Sequence, residues 1–393
     1  MDCETQRLCK EVAENRYRST PLVKLKVSEA SLRGKMPSVG AQAYGATCTA
    51  HAVAALVAYH ENPHNPPRLS PQFLFDIVKR NEETWLAKNF DSIRNGLEPD
   101  AEFRLAYKSQ YDRLNLVVRA NGGHRTSVAQ GFIDQFESQL RENAGVSSGS
   151  MLHRCFDAAR EVGICREELR PSASVQRGSF AMKTGVSSMP RGLLDDARNH
   201  RVVRGLHVFE HPNNVNEIRS MLSGARRLRP MPVCVAVDIF EGCTDGVFSF
   251  PEIDEDGIVV NKPLGLHEVL VVGFEDNPIH PGGGSFTVRN SWGADWGDGG
   301  YGRMSYAYLE IFCREAGTVL AYRDSSVLAE SGDESAPQIS GGVCAACGRS
   351  YRSMSSIKMT CEADGCRERI CFDCWTKNKR RCQIHAAATP QAL

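Results

Sequence analysis

The stretch TCTAHAVAALVAYHE, residues 47–61, limits the possible folds of this 393-residue chain more than any other. Its apolar residues lie on every side of a 3.6-residue repeat, so it predicts a helix that is buried all round. The first turn of that helix carries a thiol, Cys48, directly after the small-residue turn GAQAYGAT. Cys48 is therefore either a small buried side chain or a nucleophile at a helix start.

The first half of the chain's body is predicted to be helical. In LSPQFLFDIVKR, Ser70 is a good N-cap and Pro71 suits the first helical position. The segment SGSMLHRCFDAAREVGI is amphipathic, and Gly163 suits its C-terminal cap. The second half is predicted to form strands, because MPVCVAVDI, LHEVLVVGFED and GSFTVRNSW are short and β-branched. Helices followed by strands predict an α+β fold with two lobes and a cleft between them.

Four regions are expected along the chain. Residues 1–35 form a charged N-terminal lead-in, and residues 36–323 form the large body. Residues 324–342 are rich in Ser, Gly, Asp and Glu, which is typical of a flexible linker. Residues 343–393 form a cysteine-rich domain with a short tail.

The charge of the chain is balanced, with 47 Lys and Arg against 47 Asp and Glu. The global charge therefore favours neither a nucleic acid nor a membrane as partner. The N-terminus lacks the apolar core of a signal peptide, and no apolar segment approaches the roughly 20 residues of a membrane span. We expect a cytoplasmic protein with no membrane span, whose cysteines outside the C-terminal region are mostly reduced.

A nucleophilic thiol requires more than its position at a helix start. The N-terminus of a helix carries about half a positive charge, which favours a thiolate at Cys48. Catalysis also needs a base, a group that orients the base, and donors for the oxyanion. The candidate base is His267, the candidate orienting group is Asn290, and the candidate oxyanion donor is Gln42. Each alone has an ordinary interpretation, as a strand histidine, a turn former and a surface side chain respectively.

Together these residues follow the order Gln-x5-Cys, His, Asn-Ser-Trp-Gly, and most of residues 36–323 resembles papain-like cysteine peptidases. NSWGADWGDGGYG matches the segment that holds that family's triad asparagine, and LHEVLVVGF is similar to its histidine strand. Thr49-Ala50 after the cysteine resembles the bacterial branch of the family. The resemblance implies a helical left lobe and a β-barrel-like right lobe.

The resemblance also implies a role for each residue. Cys48 is the nucleophile, His267 holds and returns the proton, and Asn290 fixes the tautomer of the ring. Trp292 covers the bond between His267 and Asn290, and it keeps water away. Gln42 and the backbone N–H of the nucleophile hold the oxyanion. The thiol and the imidazole are expected to titrate as a coupled ion pair.

The chain departs from the family at several positions near the nucleophile and the base. The usual Gly-Ser before the nucleophile is replaced by Ala46-Thr47, which is expected to narrow the cleft or tilt the oxyanion site. Glu268 replaces the small residue after the histidine, where relatives border a substrate pocket. A carboxylate there favours Lys or Arg in the substrate, or else it is paired with a neighbouring Arg.

The spacing of the two reacting residues predicts long insertions. His267 lies 219 residues after Cys48, well beyond the roughly 130–150 of papain. The segments NGGHRTSVAQGFIDQ and PSASVQRGSFAMKTGVSSMPRG are candidate insertions, either beside the cleft or on the surface. The lead-in is too short for the long inhibitory propeptide of secreted relatives, so control by a partner, the insertions or the tail is expected.

The C-terminal region predicts a module with two structural Zn²⁺ ions. Its ligands follow the pattern C-x2-C-x13-C-x4-C-x4-C-x2-C-x7-C-x2-H, and eight ligands make two tetrahedral sites. A segment this short has too little core to fold alone, so the metal would supply the folding energy. The pattern resembles the cross-braced RING, FYVE and PHD group, and sequential pairing stays open. In the cross-braced arrangement one ion binds Cys344, Cys347, Cys371 and Cys374, and the other binds Cys361, Cys366, Cys382 and His385.

The predicted function is an intracellular cysteine endopeptidase that acts on protein or peptide substrates and needs no cofactor for catalysis. The zinc module is expected to bind a protein partner, since its basic KNKRR stretch lacks the interleaved aromatics typical of nucleic-acid binding. One alternative is a catalytically silent adaptor on the same fold. Another is a transpeptidase or isopeptidase that uses the same acyl-enzyme.

Overall fold

A computed structural model describes most of the chain between residues 2 and 320, and two short strands beyond. The described ranges are 2–42, 46–120, 127–143, 149–172, 190–202, 206–224, 229–243, 245–254, 259–261, 263–320, 358–360 and 369–371. The chain divides into two compact units. The first comprises residues 1–80 and 146–330, and the second comprises residues 81–145 and 331–393.

Most of the described helices lie in the first half of the chain and most of the described strands in the second half. The helices are α1 Cys3–Ala13, α2 Cys48–Glu61, α3 Pro71–Arg94, α4 Ala101–Ala106, α5 Lys108–Ala120, α6 Ser127–Asn143, α7 Leu152–Glu161, α8 Arg191–Asn199, α9 Val215–Ser223 and α10 Tyr306–Phe312. The strands are β1 Glu29–Ser31, β2 Leu206–Val208, β3 Val233–Phe240, β4 Pro263–Glu275, β5 Ser285–Arg289, β6 Tyr301–Ser305, β7 Cys313–Val319, β8 Lys358–Thr360 and β9 Arg369–Cys371.

The helices of the first unit confirm the predicted capping. In α2 every residue from Cys48 to Tyr59 is buried, as its all-round apolar pattern predicts. Ser70 caps α3, because its Oγ accepts a hydrogen bond from the Phe73 N–H at 3.0 Å. Gly163 follows α7 with φ +94°, and a Cβ there would lie 1.8 Å from the Ala197 carbonyl oxygen. Only glycine fits that position without displacing backbone.

One antiparallel sheet holds the strands of the first unit, in the order β2-β7-β3-β4-β5-β6, with β1 added to one end of β4. The three strands predicted from sequence are β3, β4 and β5, and all three are confirmed. Helix α2 packs against β3, β4 and β7, and it also contacts α7. The fold is therefore α+β, with the helices preceding most of the sheet along the chain.

The N-terminal lead-in packs against the rest of the first unit. Helix α1 begins after Asp2, whose carboxylate accepts the Thr5 N–H at 2.7 Å, and it buries Cys9 and Val12 in the main core. Strand β1 pairs residues 29–31 with residues 275–273 of β4. The lead-in therefore supplies both core side chains and one strand of the sheet.

The second unit contains the end of α3 and helices α4, α5 and α6. Its own apolar cluster comprises Leu86, Phe90, Ile93, Phe103, Leu114, Ile133, Phe136 and Leu140. The rings of Phe90, Phe103 and Phe136 meet edge-on with centroids 5.3–5.9 Å apart. The sequence patterns above did not predict this helical core. The second candidate insertion, residues 171–192, lies largely outside the described residues, whereas the first overlaps α6.

The eight cysteines between residues 3 and 313, all of which the structure describes, are free thiols, and only Cys3 among them is exposed. No described helix is both long and apolar enough to cross a membrane. Within the described ranges no group of three or more Cys, His, Asp or Glu is placed to hold a metal ion. The eight predicted zinc ligands lie outside the described side chains, although the backbone of Cys371 ends strand β9, which pairs antiparallel with β8.

Candidate active site

The base and its orienting group lie on neighbouring strands of the sheet. His267 is in the first half of β4, and Asn290 directly follows β5. The pairing of Leu270 with Arg289 brings the two side chains together, and His267 Nε2 lies 2.7 Å from Asn290 Oδ1. Because a carboxamide oxygen only accepts, this contact places a proton on Nε2 and leaves Nδ1 for the reaction.

An indole covers the bond between His267 and Asn290. The ring of Trp292 stacks on His267 with centroids 4.7 Å apart, and Trp296 packs edge-on against Trp292 at 5.4 Å. As a result His267 is only 4% exposed and Asn290 only 1% exposed. Burial lowers the pKa of His267 to about 4, while the bond to Asn290 works in the opposite direction. The free imidazole is therefore neutral at neutral pH.

The nucleophile and the proposed oxyanion donor are six residues apart in sequence. Cys48 is the first residue of α2 and is largely buried. The Gln42 N–H donates to the Ser291 carbonyl at 2.7 Å, and Gln42 Oε1 accepts from Ser291 Oγ at 2.5 Å. Asn290 Oδ1 also accepts the Ser291 N–H, at 2.8 Å. One residue, Ser291, thus holds both the oxyanion candidate and the orienting asparagine.

Helix α2 packs on β4, so the thiol and the imidazole lie on contacting elements. Between Cys48 and His267, both of which are described, there is no hydrogen bond. Such bonds are often long in free enzymes and tighten when substrate binds. The predicted ion pair would require the proton of Cys48 to pass to His267, whose pKa is lowered by burial. The negative charge of the thiolate would act in the opposite direction and favour the protonated ring.

Glu268 directly follows His267 on β4, and it is close enough to Cys48 for the thiol to act on its charge. Ala236 of β3 pairs with Glu268 on one side and with Glu315 of β7 on the other, so the three residues form one row. Burial, then Glu315 and then Cys48 raise the pKa of Glu268 well above its usual value. Its Oε1 has no hydrogen-bond partner among the described residues.

The alternative in which Glu268 pairs with an arginine does not hold among the described residues. The largest charge effect on the pKa of Glu268 comes from another carboxylate, Glu315, whose Oε2 accepts the Leu152 N–H at 3.0 Å. Glu268 is therefore a buried, proton-holding acid beside the thiol.

Sequence reasoning placed Cys48, His267, Asn290, Gln42 and Trp292 in one region of the fold, and it missed two residues. Ser291 was visible as the middle residue of NSW, but its contact with Gln42 spans 249 positions. The position of Glu315 depends on the pairing of β3 with β7, for which the sequence carries no local signal.

Residues 134–318 match the family model described as papain family cysteine protease. That range, just under half of the chain, is similar to papain-family cysteine proteases. The matched range contains His267, Asn290 and Trp292, while Cys48 and Gln42 precede it.

Two curated relatives match parts of the chain. A peptidase C1-like protein of Acanthamoeba polyphaga mimivirus, itself uncharacterized, is 34% identical over 97 residues, covering 23% of this chain and 26% of that protein. Cathepsin L of Sarcophaga peregrina is 37% identical over 78 residues, covering 19% of this chain and 20% of that protein. The matches thus span about a quarter or less of these relatives.

Solved structures also resemble the chain. Xylellain, a cysteine protease from Xylella fastidiosa, aligns at 16% identity with a TM-score of 0.46, covering 78% of this chain and 91% of that one. Procathepsin L 3 of the Tenebrio molitor larval midgut aligns at 16% identity with a TM-score of 0.42, covering 81% and 79%.

Proposed function

We propose that this protein hydrolyses peptide bonds with Cys48 as the nucleophile and His267 as the acid and base. The observation that carries the proposal is the 2.7 Å bond from His267 to Asn290, shielded by Trp292, on the strand against which the helix of Cys48 packs. This arrangement fixes one ring nitrogen and leaves the other available to the thiol.

The reaction follows from these positions. The Cys48 thiol gives its proton to His267, and the resulting thiolate attacks the carbonyl carbon of the substrate. When the carbon–nitrogen bond breaks, the imidazolium gives that proton to the leaving amine, and a thioester remains on Cys48. Water then attacks the thioester as its proton passes to His267, which releases the acid and restores the thiol.

The oxyanion that forms in each half-reaction needs fixed donors. The Cys48 backbone N–H points from the start of α2, where the helix end favours negative charge. The Gln42 amide is the second donor, and it is oriented because its Oε1 accepts from Ser291. A carboxamide whose oxygen is already held presents its NH₂ group in one direction, which is what preorganised stabilisation requires.

An active-site label tests this proposal directly. Full-length protein treated with an epoxysuccinyl cysteine-peptidase probe is expected to gain one adduct, which Cys48→Ala removes. Cys3→Ala is the matched control, because Cys3 is the exposed thiol among the eight described cysteines between residues 3 and 313. Equal labelling of wild type and Cys48→Ala would leave a papain-fold adaptor as the better account.

Hydrolysis and acyl transfer share the thioester, so products must separate them. A fluorogenic peptide incubated with and without an added amine nucleophile is expected to yield the free acid in both cases. Mass spectrometry that finds mainly the amine adduct at low amine concentration would favour transpeptidation. Asn290→Ala and His267→Ala are expected to reduce both products, since the two pathways use the same first step.

Glu268 is proposed to favour Lys or Arg in the substrate pocket beside the thiol. Burial raises the pKa of Glu268, which favours the protonated carboxyl in the free protein. When a cationic substrate side chain enters the pocket, its positive charge would stabilise the carboxylate in place of the proton. Peptides that differ only in Arg or Leu before the scissile residue are expected to differ by about tenfold in kcat/KM, which is about 1.4 kcal/mol. The preference for the Arg peptide is expected to vanish in Glu268→Gln and to increase with pH in the wild type. Equal cleavage of the Arg and Leu peptides by the wild type would contradict this specificity.

The C-terminal region is proposed to bind two structural Zn²⁺ ions and a protein partner. The antiparallel pairing of β8 with β9 supports this, because the connection between the strands carries Cys361 and Cys366, as a zinc-knuckle hairpin would. Mass spectrometry of the intact protein is expected to find two zinc ions per chain. One ion or none in metal-replete protein contradicts the ligand assignment.

A cytoplasmic location and kinship with the bacterial branch also stay proposals. Free thiols at the described cysteines support the first, and Thr49-Ala50 supports the second. Cell fractionation followed by thiol-alkylation mass spectrometry tests the location: a secreted, disulfide-bonded product would contradict it.

A further inference from the structure

A buried lysine on α3 has no role in the mechanism described above. The side chain of Lys79 is only 2% exposed. Its ammonium lies over the ring of Phe75, 5.4 Å from the centroid, and it donates a hydrogen bond to the Gly149 carbonyl at 2.7 Å. Lysine is rarely buried to this extent, because removing an ammonium from water is costly. The contact with Gly149 therefore needs a physical explanation.

The Gly149 carbonyl belongs to a short segment, residues 149–151, that leads into α7. Gly149 is exposed, and a Cβ added there would meet no atom within 4 Å, so the space beside its backbone is open. The Ser150 carbonyl accepts a hydrogen bond from the hydroxyl of Thr49 at 2.8 Å, and Thr49 directly follows Cys48 on α2. The segment therefore runs beside the nucleophile with part of its backbone open to solvent.

Two buried side chains hold successive carbonyls of this segment, Lys79 at Gly149 and Thr49 at Ser150. A trans peptide unit is planar and points its C=O and its N–H in opposite directions. The bond from Lys79 therefore turns the Ser150 N–H, which belongs to the same peptide unit as the Gly149 carbonyl, away from Lys79. This N–H donates to none of the described backbone carbonyls, so it is available to an acceptor from outside the chain.

The charge on the donor makes the bond to Gly149 strong. A hydrogen bond from an ionised group is roughly twice as strong as one between neutral groups. Gly149 has no side chain to restrict its backbone, so its peptide unit would otherwise rotate among several directions. The ammonium of Lys79 limits that rotation and gives the Ser150 N–H one direction.

We propose that Lys79 is a positioning residue for peptide binding, which fixes the Ser150 N–H as a donor to the backbone of the bound peptide. This inference rests on the proposed function, because the acceptor is a carbonyl of the same peptide that Cys48 attacks. Lys79 itself touches neither the peptide nor the reacting atoms, and it acts through the Gly149 carbonyl. Because the contact is to backbone, it applies to peptides of any sequence.

The kinetic test compares wild type with Lys79→Met, which keeps most of the side-chain volume but has no donor. A hydrogen bond made equally in the bound state and the transition state changes KM and leaves kcat unaltered. Lys79→Met is therefore expected to raise KM for a fluorogenic peptide by about 3–10-fold, the range of one hydrogen bond, with little change in kcat. Lys88→Met is the matched control, because Lys88 is an exposed lysine of the same helix.

A set of modified peptides separates positioning from general structural support. In each peptide, one backbone amide on the N-terminal side of the scissile bond is replaced by an alkene, which keeps the shape and removes the acceptor. One of these replacements is expected to weaken binding by about 3–10-fold when Lys79 is present. The same replacement is expected to have no further effect in Lys79→Met, because the donor it would lose is no longer fixed. A variant that is merely less well folded would weaken the binding of all peptides equally.

Binding is measured by fluorescence anisotropy with full-length Cys48→Ala, which forms no thioester, so the result does not depend on catalysis. Peptides that bind Cys48→Ala but are not cut by wild type would contradict the proposed function, while the binding data still decide the role of Lys79. Equal affinity of Cys48→Ala with and without Lys79→Met overturns the proposal, as does the absence of any alkene position that weakens binding to Cys48→Ala. Should Lys79→Met fail to fold, Lys79→Gln decides, because its side chain is too short to hold the Gly149 carbonyl in the same way.

Discussion

Replacing Glu268 by glutamine is expected to make the protein more stable at neutral pH. The carboxyl is buried beside Glu315 and Cys48, and its pKa is raised well above the usual value near 4.5. The folded state therefore holds a proton that the unfolded chain releases. Stability from this group is fully present below the unfolded pKa and is lost as pH rises through the folded pKa.

The size of the effect follows from one proton. Between pH 4.5 and the raised pKa, wild type is expected to lose about 1.4 kcal/mol of unfolding free energy per pH unit through this group. For a domain of this size, that corresponds to roughly 3–6 °C in unfolding temperature per pH unit. Glu268→Gln keeps the shape and has no titrating proton, so its profile lacks this decline.

Thermal unfolding from pH 4.5 to pH 9 measures the difference between the two profiles. Glu275→Gln is the matched control, because Glu275 is an exposed glutamate on the same strand. Glu315→Gln is expected to narrow the pH window, since Glu315 contributes to the raised pKa of Glu268. Parallel profiles for wild type and Glu268→Gln over the whole range would refute the reasoning.

Three further predictions follow from the site and the fold. Gln42→Ala is expected to reduce kcat by about 10²–10³ with little change in KM, and a smaller loss would exclude Gln42 from the oxyanion site. Trp292→Ala exposes the ring of His267, so NMR titration is expected to show its pKa rising from about 4 toward 6.5; an unchanged value contradicts burial as the cause. Gly163→Ala forces a side chain to φ +94° against the Ala197 carbonyl, and chemical denaturation is expected to show a loss above 1 kcal/mol, whereas a neutral result would mean the turn relaxes freely.

The parts of the fold that the sequence predicts correctly are those whose signals are local. The burial of α2 follows from its all-round apolar pattern, and the cap at Ser70 follows from the residue itself. The pairing of His267 with Asn290 is long-range, yet two distinctive motifs on adjacent strands made it predictable.

The remaining features depend on contacts that no local pattern encodes. The row of Glu268, Ala236 and Glu315 exists because two strands distant in sequence flank β3. Helices were predicted for this half of the chain, but the apolar cluster of the second unit was not, because it joins Phe90, Phe103 and Phe136 from three separate helices.

The pairing of β1 with β4 has a consequence for how the chain is made. Residues 29–31 leave the ribosome early, but their partners, residues 273–275, follow much later. At about 5–20 residues per second, the early segment waits on the order of 10–50 s for its strand partner. During that interval the apolar side chains of α1, which later pack near α10, are exposed to chaperones and to other nascent chains. The yield of folded protein in the cell is therefore expected to depend on how well chaperones protect this first segment from aggregation during translation.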